Sequence, residues 1–220
     1  MGNAKRTRGD VVNVQTRTSR TSRDVAPRTR YVAWNYPSEL ETDVVVRANQ
    51  TLHLRPIRPG DARKLDEFHS HLSSDSIYRR YFSVHPELSH EEVCHLTQVD
   101  YVDRLALVIE DGEEFVAVAR YERYPSTALA EVAFLVRDDY QHLGLGHQLL
   151  ENLARAAWDR GVTAFSAYTL VTNRAMISVF RHSGFPVTST VSANEVSVRF
   201  SIEPTREVAA FRLEYRARTI

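Results

Sequence analysis

Two short stretches of this 220-residue chain combine residue types able to do chemistry. The first is Gln141-His142-Leu143-Gly144-Leu145-Gly146, set between an apolar run and an amphipathic one. Its glycines let the backbone turn tightly, so that unpaired amides at a helix N-terminus converge on an anion such as a pyrophosphate. A plain helix-opening turn would carry the same glycines. The loop lacks the third glycine of a dinucleotide fingerprint and the Gly-Lys-Ser/Thr of a P-loop, so it supports neither NAD nor ATP. The second is Glu131, the one carboxylate of Glu131-Val132-Ala133-Phe134-Leu135-Val136. On a strand it points away from the face of Val132 and Phe134, and partial burial there would raise its pKa above the reference of about 4.3, toward a general base. A solvent-facing charge on a sheet is the other reading.

Other constellations carry less. His90 and His95 resemble a zinc-protease pair but are five residues apart, about 140° around a helix, so no metal site is expected. His69 and His71, two apart, fail for the same reason. There is no Gly-x-Ser-x-Gly elbow, and the single cysteine, Cys94, reads as a small packing residue rather than a nucleophile.

The surrounding pattern supplies the elements that must hold these residues. Val44 to Arg47 and Thr51 to Arg55 read as a β-hairpin around Ala48-Asn49-Gln50. Asp61 or Gly60 can cap a helix with Leu65, Phe68 and Leu72 on one face, and Ile77, Tyr81 and Phe82 repeat that pattern after Ser73-Ser74. Ser89 and Glu92 form a capping box for a third helix. Strand-like runs follow at Leu105 to Glu110, Phe115 to Tyr121 and Ala128 to Val136, the first two joined by Asp111-Gly112. Leu149, Leu150, Leu153, Ala157 and Trp158 then mark a long amphipathic helix that stops at Gly161. The buried run Ala164 to Val171 makes the succession strand, helix, strand, which implies a parallel pair. Asn173 caps a short helix, and Val196 to Ile202 is the last strand.

Composition bounds the function. With 43% apolar residues the chain can bury a core, and 28 basic against 28 acidic side chains advertise no nucleic-acid or anionic-membrane partner. Residues 1–30 nevertheless hold eight Lys/Arg against Asp10 and Asp24, a net +6, with little apolar content, which predicts a mobile basic arm ahead of an acidic body. One cysteine excludes an internal disulfide, and no run approaches a membrane span or a signal-peptide core, so the cytoplasm is the expected compartment.

Taken together, the strand at Glu131, the glycine loop, Asn173-Arg174-Ala175-Met176 and the terminal Gly184-Phe185 resemble the GNAT superfamily of N-acetyltransferases from Leu54 to Phe200. Asp43-Val44-Val45, Leu54 to Asp61 and Ser76 to Phe82 further resemble the bacterial Pat-type protein lysine acetyltransferases. The resemblance implies an α/β (α+β) domain over 40–203 with a mixed, mostly antiparallel sheet, a βαβ crossover and a splayed parallel pair, followed by a segment at 204–220 that can form a short helix. It implies acetyl-CoA as acyl donor. Backbone groups of Phe134, Leu135 and Val136 would pair with the pantetheine, and amides of His142, Leu143, Gly144, Leu145, Gly146 and His147 would hold the pyrophosphate, with Gln141 setting the turn. Asn173 would reach the pantetheine arm, or serve only as a helix cap. Relatives commonly have glycine where His142 stands, and Phe180 occupies the place of a tyrosine that many use as general acid. Glu131 is the implied general base for direct transfer to a lysine of a protein, the expected partner being an acyl-CoA synthetase. A small-amine acetyltransferase and a non-catalytic CoA-sensing domain remain alternatives.

Overall fold

The computed structural model describes residues 35–46, 50–84, 87–206 and 208–210. The basic arm expected at 1–30 and residues 211–220 lie outside them. Eight strands form one sheet in the order β1-β2-β3-β4-β5-β6-β8-β7: β1 Thr42–Val46, β2 Gln50–Pro56, β3 Arg104–Asp111, β4 Glu114–Arg123, β5 Leu129–Val136, β6 Ala164–Leu170, β7 Val187–Ser192 and β8 Glu195–Ser201. Every neighbouring pair is antiparallel except β5 and β6. That is the mixed sheet with one crossover that the sequence implied. Sequence reading did not separate β7, whose Thr188-Ser189-Thr190 carries no apolar run and which lies exposed on the sheet edge beside β8.

Five helices pack on the two faces among the described residues: α1 Ala62–Ser70, α2 Ser74–Tyr81, α3 His90–Thr97, α4 Leu145–Trp158 and α5 Arg174–Arg181. On one face Phe134, Phe165, Phe180 and Phe200 form a chain of ring contacts 5.7–6.0 Å apart. Ala117 and Ala119 of β4 are fully buried on that face, small residues against which α4 can lie close. The opposite face, carrying Glu131 and Ala133, is covered by α1 and α2. Leu40 and Val208, near the two ends of the described chain, are both buried in the same core.

Local chemistry explains the helix boundaries. Ser89 and Glu92 make the expected capping box, with Ser89 N–H donating to Glu92 Oε2 at 2.8 Å and Glu92 N–H to Ser89 Oγ at 3.2 Å. Ser73 caps α2 by accepting from the Ser76 amide at 3.2 Å. Phe82 departs from expectation. It ends α2 in the left-handed conformation at φ 57° and is 37% exposed, so it is not a core position. Its side chain therefore leaves the apolar face that Ile77 occupies.

Candidate functional site

The cleft follows from the way β5 and β6 part. They pair only from Leu129 to Glu131 against Ala164 to Ser166; β6 then continues to Leu170 along β8, and Val132 to Val136 keep only β4 as a neighbour. A peptide-like chain can enter that gap and bond to the freed edge as an added strand would. The gap opens into a cleft of about 600 Å³ that runs from Arg80 and Glu131 past Phe134 to the Gly144 loop.

At one end lies the loop Gln141–Gly146, whose backbone amides could cradle an anion. Among the described residues, the amides of His142, Leu143, Gly144, Leu145 and Gly146 donate to no carbonyl or side chain, while the His147 and Gln148 amides close the first turn of α4 onto Gly144 O. Five free donors at the start of a 14-residue helix suit an anion. The two glycines have different reasons. Gly144 adopts φ 92°, a region that L side chains avoid, whereas a Cβ on Gly146 would stand 3.0 Å from Val179 Cγ2 of α5. Gly146 thus permits the approach of α4 to α5. His142 also sits in the left-handed region, at φ 64°, which gives a physical reason for glycine to be the common residue there. Gln141, expected to set the turn, donates from its Nε2 to Val136 O and to Ser76 Oγ, both at 3.2 Å.

Asp138, which sequence reading passed over, is the hub beside it. Its carboxylate accepts from Ser73 N–H at 2.9 Å, Ser73 Oγ at 2.7 Å and Ser76 Oγ at 2.8 Å, tying α2 to the loop. Burial alone would raise its pKa, but these hydrogen bonds outweigh it and hold the carboxyl below its usual value. Across the cleft, Asn173 Oδ1 caps α5 by accepting from the Met176 amide at 3.1 Å. Its Nδ2 makes no hydrogen bond among the described residues and the side chain lines the cleft, so cap and ligand contact are compatible roles. Phe180 also borders the cleft, but at 1% exposure its ring belongs to the core beside Phe134 and Phe200.

Glu131 stands at the other end, on the face away from Val132 as its strand position requires. The partial burial expected of it is absent: it is exposed, although β5 still pairs with β6 at this residue. What the structure adds is a partner. Tyr124 Oη donates to Glu131 Oε2 at 3.1 Å, and Ser166 Oγ lies 3.4 Å from Tyr124 Oη. Burial, reinforced by the Glu131 carboxylate, holds the Tyr124 phenol above its ordinary value, so it remains a donor at neutral pH. Tyr124 follows β4 directly, and only the register that sets β4 against Glu131 brings it into place. Of the residues lining the cleft, Phe82 and Tyr168 are exposed aromatics, at 37% and 47%.

No group of three metal-ligating side chains and no helix able to cross a membrane occurs among the described residues.

Known proteins resemble this chain in sequence and in fold. The chain is 36% identical over 144 residues to Acetyltransferase Pat of Mycolicibacterium smegmatis, an alignment that covers 64% of this chain and 43% of that protein. It is 31% identical over 136 residues to Acetyltransferase PA5475 of Pseudomonas aeruginosa, covering 60% of this chain and 73% of that one. The crystal structure of the GNAT domain of S. lividans PAT superposes with a TM-score of 0.71 at 39% identity, covering 76% of this chain and 99% of that domain. The chain thus spans less than half the length of the M. smegmatis relative but nearly all of the S. lividans domain. Residues 72–185, from α2 through the cradle to the end of the α5 region, match the Acetyltransferase (GNAT) family, and with more than half the chain in that match this protein is a GNAT acetyltransferase.

Proposed function

We propose that the protein transfers an acetyl group from acetyl-CoA directly to a lysine amine of another protein, the first candidate being an acyl-CoA synthetase. The observation that carries this reading is Glu131 at an open mouth rimmed by exposed aromatics, since a carboxylate so placed can meet an amine presented on a large surface. The 36% identity to a protein named Pat supports the same acceptor class.

The free amides of His142 to Gly146 would hold the pyrophosphate, and the open edge at Phe134 to Val136 would bond to the pantetheine amides. Acetyl-CoA supplies an activated thioester. Glu131 takes the proton that a lysine amine, with a reference pKa near 10.4, must lose before it attacks. The C–N bond then forms as the C–S bond breaks; the attacking nitrogen loses its second proton and the thiolate takes one up through water, since Phe180 lacks a hydroxyl to give it. Tyr124 fixes the carboxylate it bonds. The single Cys94 accords with a reducing compartment, and we place the reaction in the cytoplasm.

Incubation with acetyl-CoA and folded acyl-CoA synthetases, lysine peptides or polyamines, followed by mass spectrometry, tests the acceptor. Acetylated lysine on the folded protein is expected. Rapid turnover of a polyamine or aminoglycoside with no protein acetylation would replace this reading by a small-amine one. Glu131→Gln should keep acetyl-CoA affinity and lower turnover by about 10²–10⁴-fold. Turnover within a few-fold of the parent would move the base elsewhere.

A further inference from the structure

The sheet face that carries Glu131 also holds two guanidiniums to which no carboxylate among the described residues is bonded. Arg120 of β4 stands opposite Ala133 of β5, and Glu131 is the next residue of β5 on that face. Arg80 reaches the region from α2 and lines the cleft together with Glu131 and Ala133. Both arginines are partly buried, and among the described residues neither guanidinium forms a hydrogen bond or ion pair. Arg80 has the Tyr81 ring 5.1 Å from its Cζ, and the charge of Glu131 acts on it without a bond.

The nearby carboxylates are engaged elsewhere. Glu122 lies 3.6 Å from His95 Nε2 and 3.9 Å from Arg104 Nε, Glu131 accepts from Tyr124, and Asp75 pairs with Arg79. Burial lowers the pKa of both arginines, that of Arg120 to about 10, with the charge of Arg80 adding to the effect. Two like charges drawn partly out of water raise the energy of the folded chain unless an anion joins them. A guanidinium offers a planar fork that fits a carboxylate. The phosphates of a CoA ester have the amide cradle at the far end of the cleft, so the anion at this end must come with the acceptor or with the acyl group.

We propose that Arg80 and Arg120 form a carboxylate-binding subsite beside Glu131, filled by an acidic residue next to the target lysine or by the distal carboxylate of a dicarboxylic acyl group. The first source rests on the protein-lysine reading above; the second does not.

Three measurements on the full chain decide it. Rates with acetyl-CoA are compared for two lysine peptides that differ only in having Glu or Gln beside the lysine. The affinities of succinyl-CoA and acetyl-CoA are compared by calorimetry. Melting temperature is followed with glutarate against chloride at equal ionic strength. Each is repeated with Arg80→Met and Arg120→Met. A preference of roughly ten-fold or more for the Glu peptide in kcat/KM assigns the carboxylate to the acceptor, and one of that size for succinyl-CoA assigns it to the acyl group. Glutarate should raise the melting temperature saturably, and both variants should lose the preference and the rise. Equal preferences in the parent and both variants overturn the subsite. A parent that acetylates neither these peptides nor a folded synthetase removes the protein-lysine reading alone. The subsite then falls if succinyl-CoA binds no tighter than acetyl-CoA and glutarate gives no rise, a result read on the unsubstituted chain whatever the variants do.

Discussion

Arg55 on β2 and Arg120 on β4 project from the same face of one sheet, yet the chain treats them in opposite ways. Arg55 is 4% exposed and uses its whole guanidinium: it donates to both oxygens of Asp61 at 2.7 and 2.9 Å, to both oxygens of Glu110 at 2.8 Å, and to Pro56 O at 3.0 Å. Lys64 adds a bond to Glu110 Oε1 at 3.0 Å. Arg120 and its neighbour Arg80 form no hydrogen bond or ion pair with a carboxylate among the described residues, and feel Glu122 and Glu131 only through space. Charge balanced within the chain locks β2, β3 and the start of α1 together; charge left unbalanced at the cleft is available to a reactant. The two regions are distinguished by partners, since both lie beneath helices on the same sheet.

The largest test removes the balanced arginine. Arg55→Met leaves the carboxylates of Asp61 and Glu110 buried without their main partner, which should cost about 3–5 kcal/mol. Arg120→Met removes a charge with no partner to orphan and should hold or raise stability. Urea titration of the two variants measures both, and equal losses would erase the distinction. Acid adds a second reading. Burial alone would raise the Glu110 pKa, but the bonds from Arg55 and Lys64 outweigh it and hold it below the usual range. A depressed carboxylate contributes stability that is present above its unfolded pKa of about 4.3 and is lost as pH falls through the lower folded value. Glu110→Gln should flatten that part of the acid limb.

Next in size is the tie that places Arg80. Asp138→Ala removes three hydrogen bonds from Ser73 and Ser76 to a charged group, on the helix that carries Arg80 over the cleft. Each such bond is worth about 1.5–3 kcal/mol where buried, and less here because Ser73 is exposed, so a loss of about 1–2 kcal/mol in stability is expected. Acetyl-CoA affinity should weaken with it, since Gln141 also bonds Ser76. Unchanged affinity by calorimetry would show that the loop holds its shape without α2.

Tracing these contacts back shows what the sequence could and could not disclose. The parallel crossover, the capping box at Ser89 and the glycine loop were legible because each is local, written in periodicity, caps and turn residues within a few positions. Gly144 was legible as a turn, but the packing of Gly146 on Val179 was not, since it depends on where α5 lies. Asp138 with Ser73 spans 65 positions and Arg55 with Glu110 spans 55, so neither pairing is visible before the sheet order is known. The exposure of Glu131 is hidden for a related reason: an apolar strand suggests cover on both faces, and how far the helices reach over this residue is set by distant parts of the chain.

The smallest effect lies at the outer edge of the balanced network, where the same charges meet water. Lys64 Nζ donates to Glu110 at 3.0 Å and to Glu113 at 2.9 Å, but the Glu113 side chain is 93% exposed whereas that of Glu110 is 10% exposed. Water screens the outer pair and holding two long side chains together costs entropy, so Glu113→Gln should change stability by less than about 1 kcal/mol. Raising the ionic strength toward 1 M, where the Debye length is about 3 Å, should remove even that difference. Lys64→Met, which also takes a partner from buried Glu110, should cost more than Glu113→Gln and keep most of its cost in salt. If the two variants instead lose equal stability and respond alike to salt, it is the number of charges and not their burial that sets the strength of this network, and the contrast with Arg120 must be drawn on other grounds.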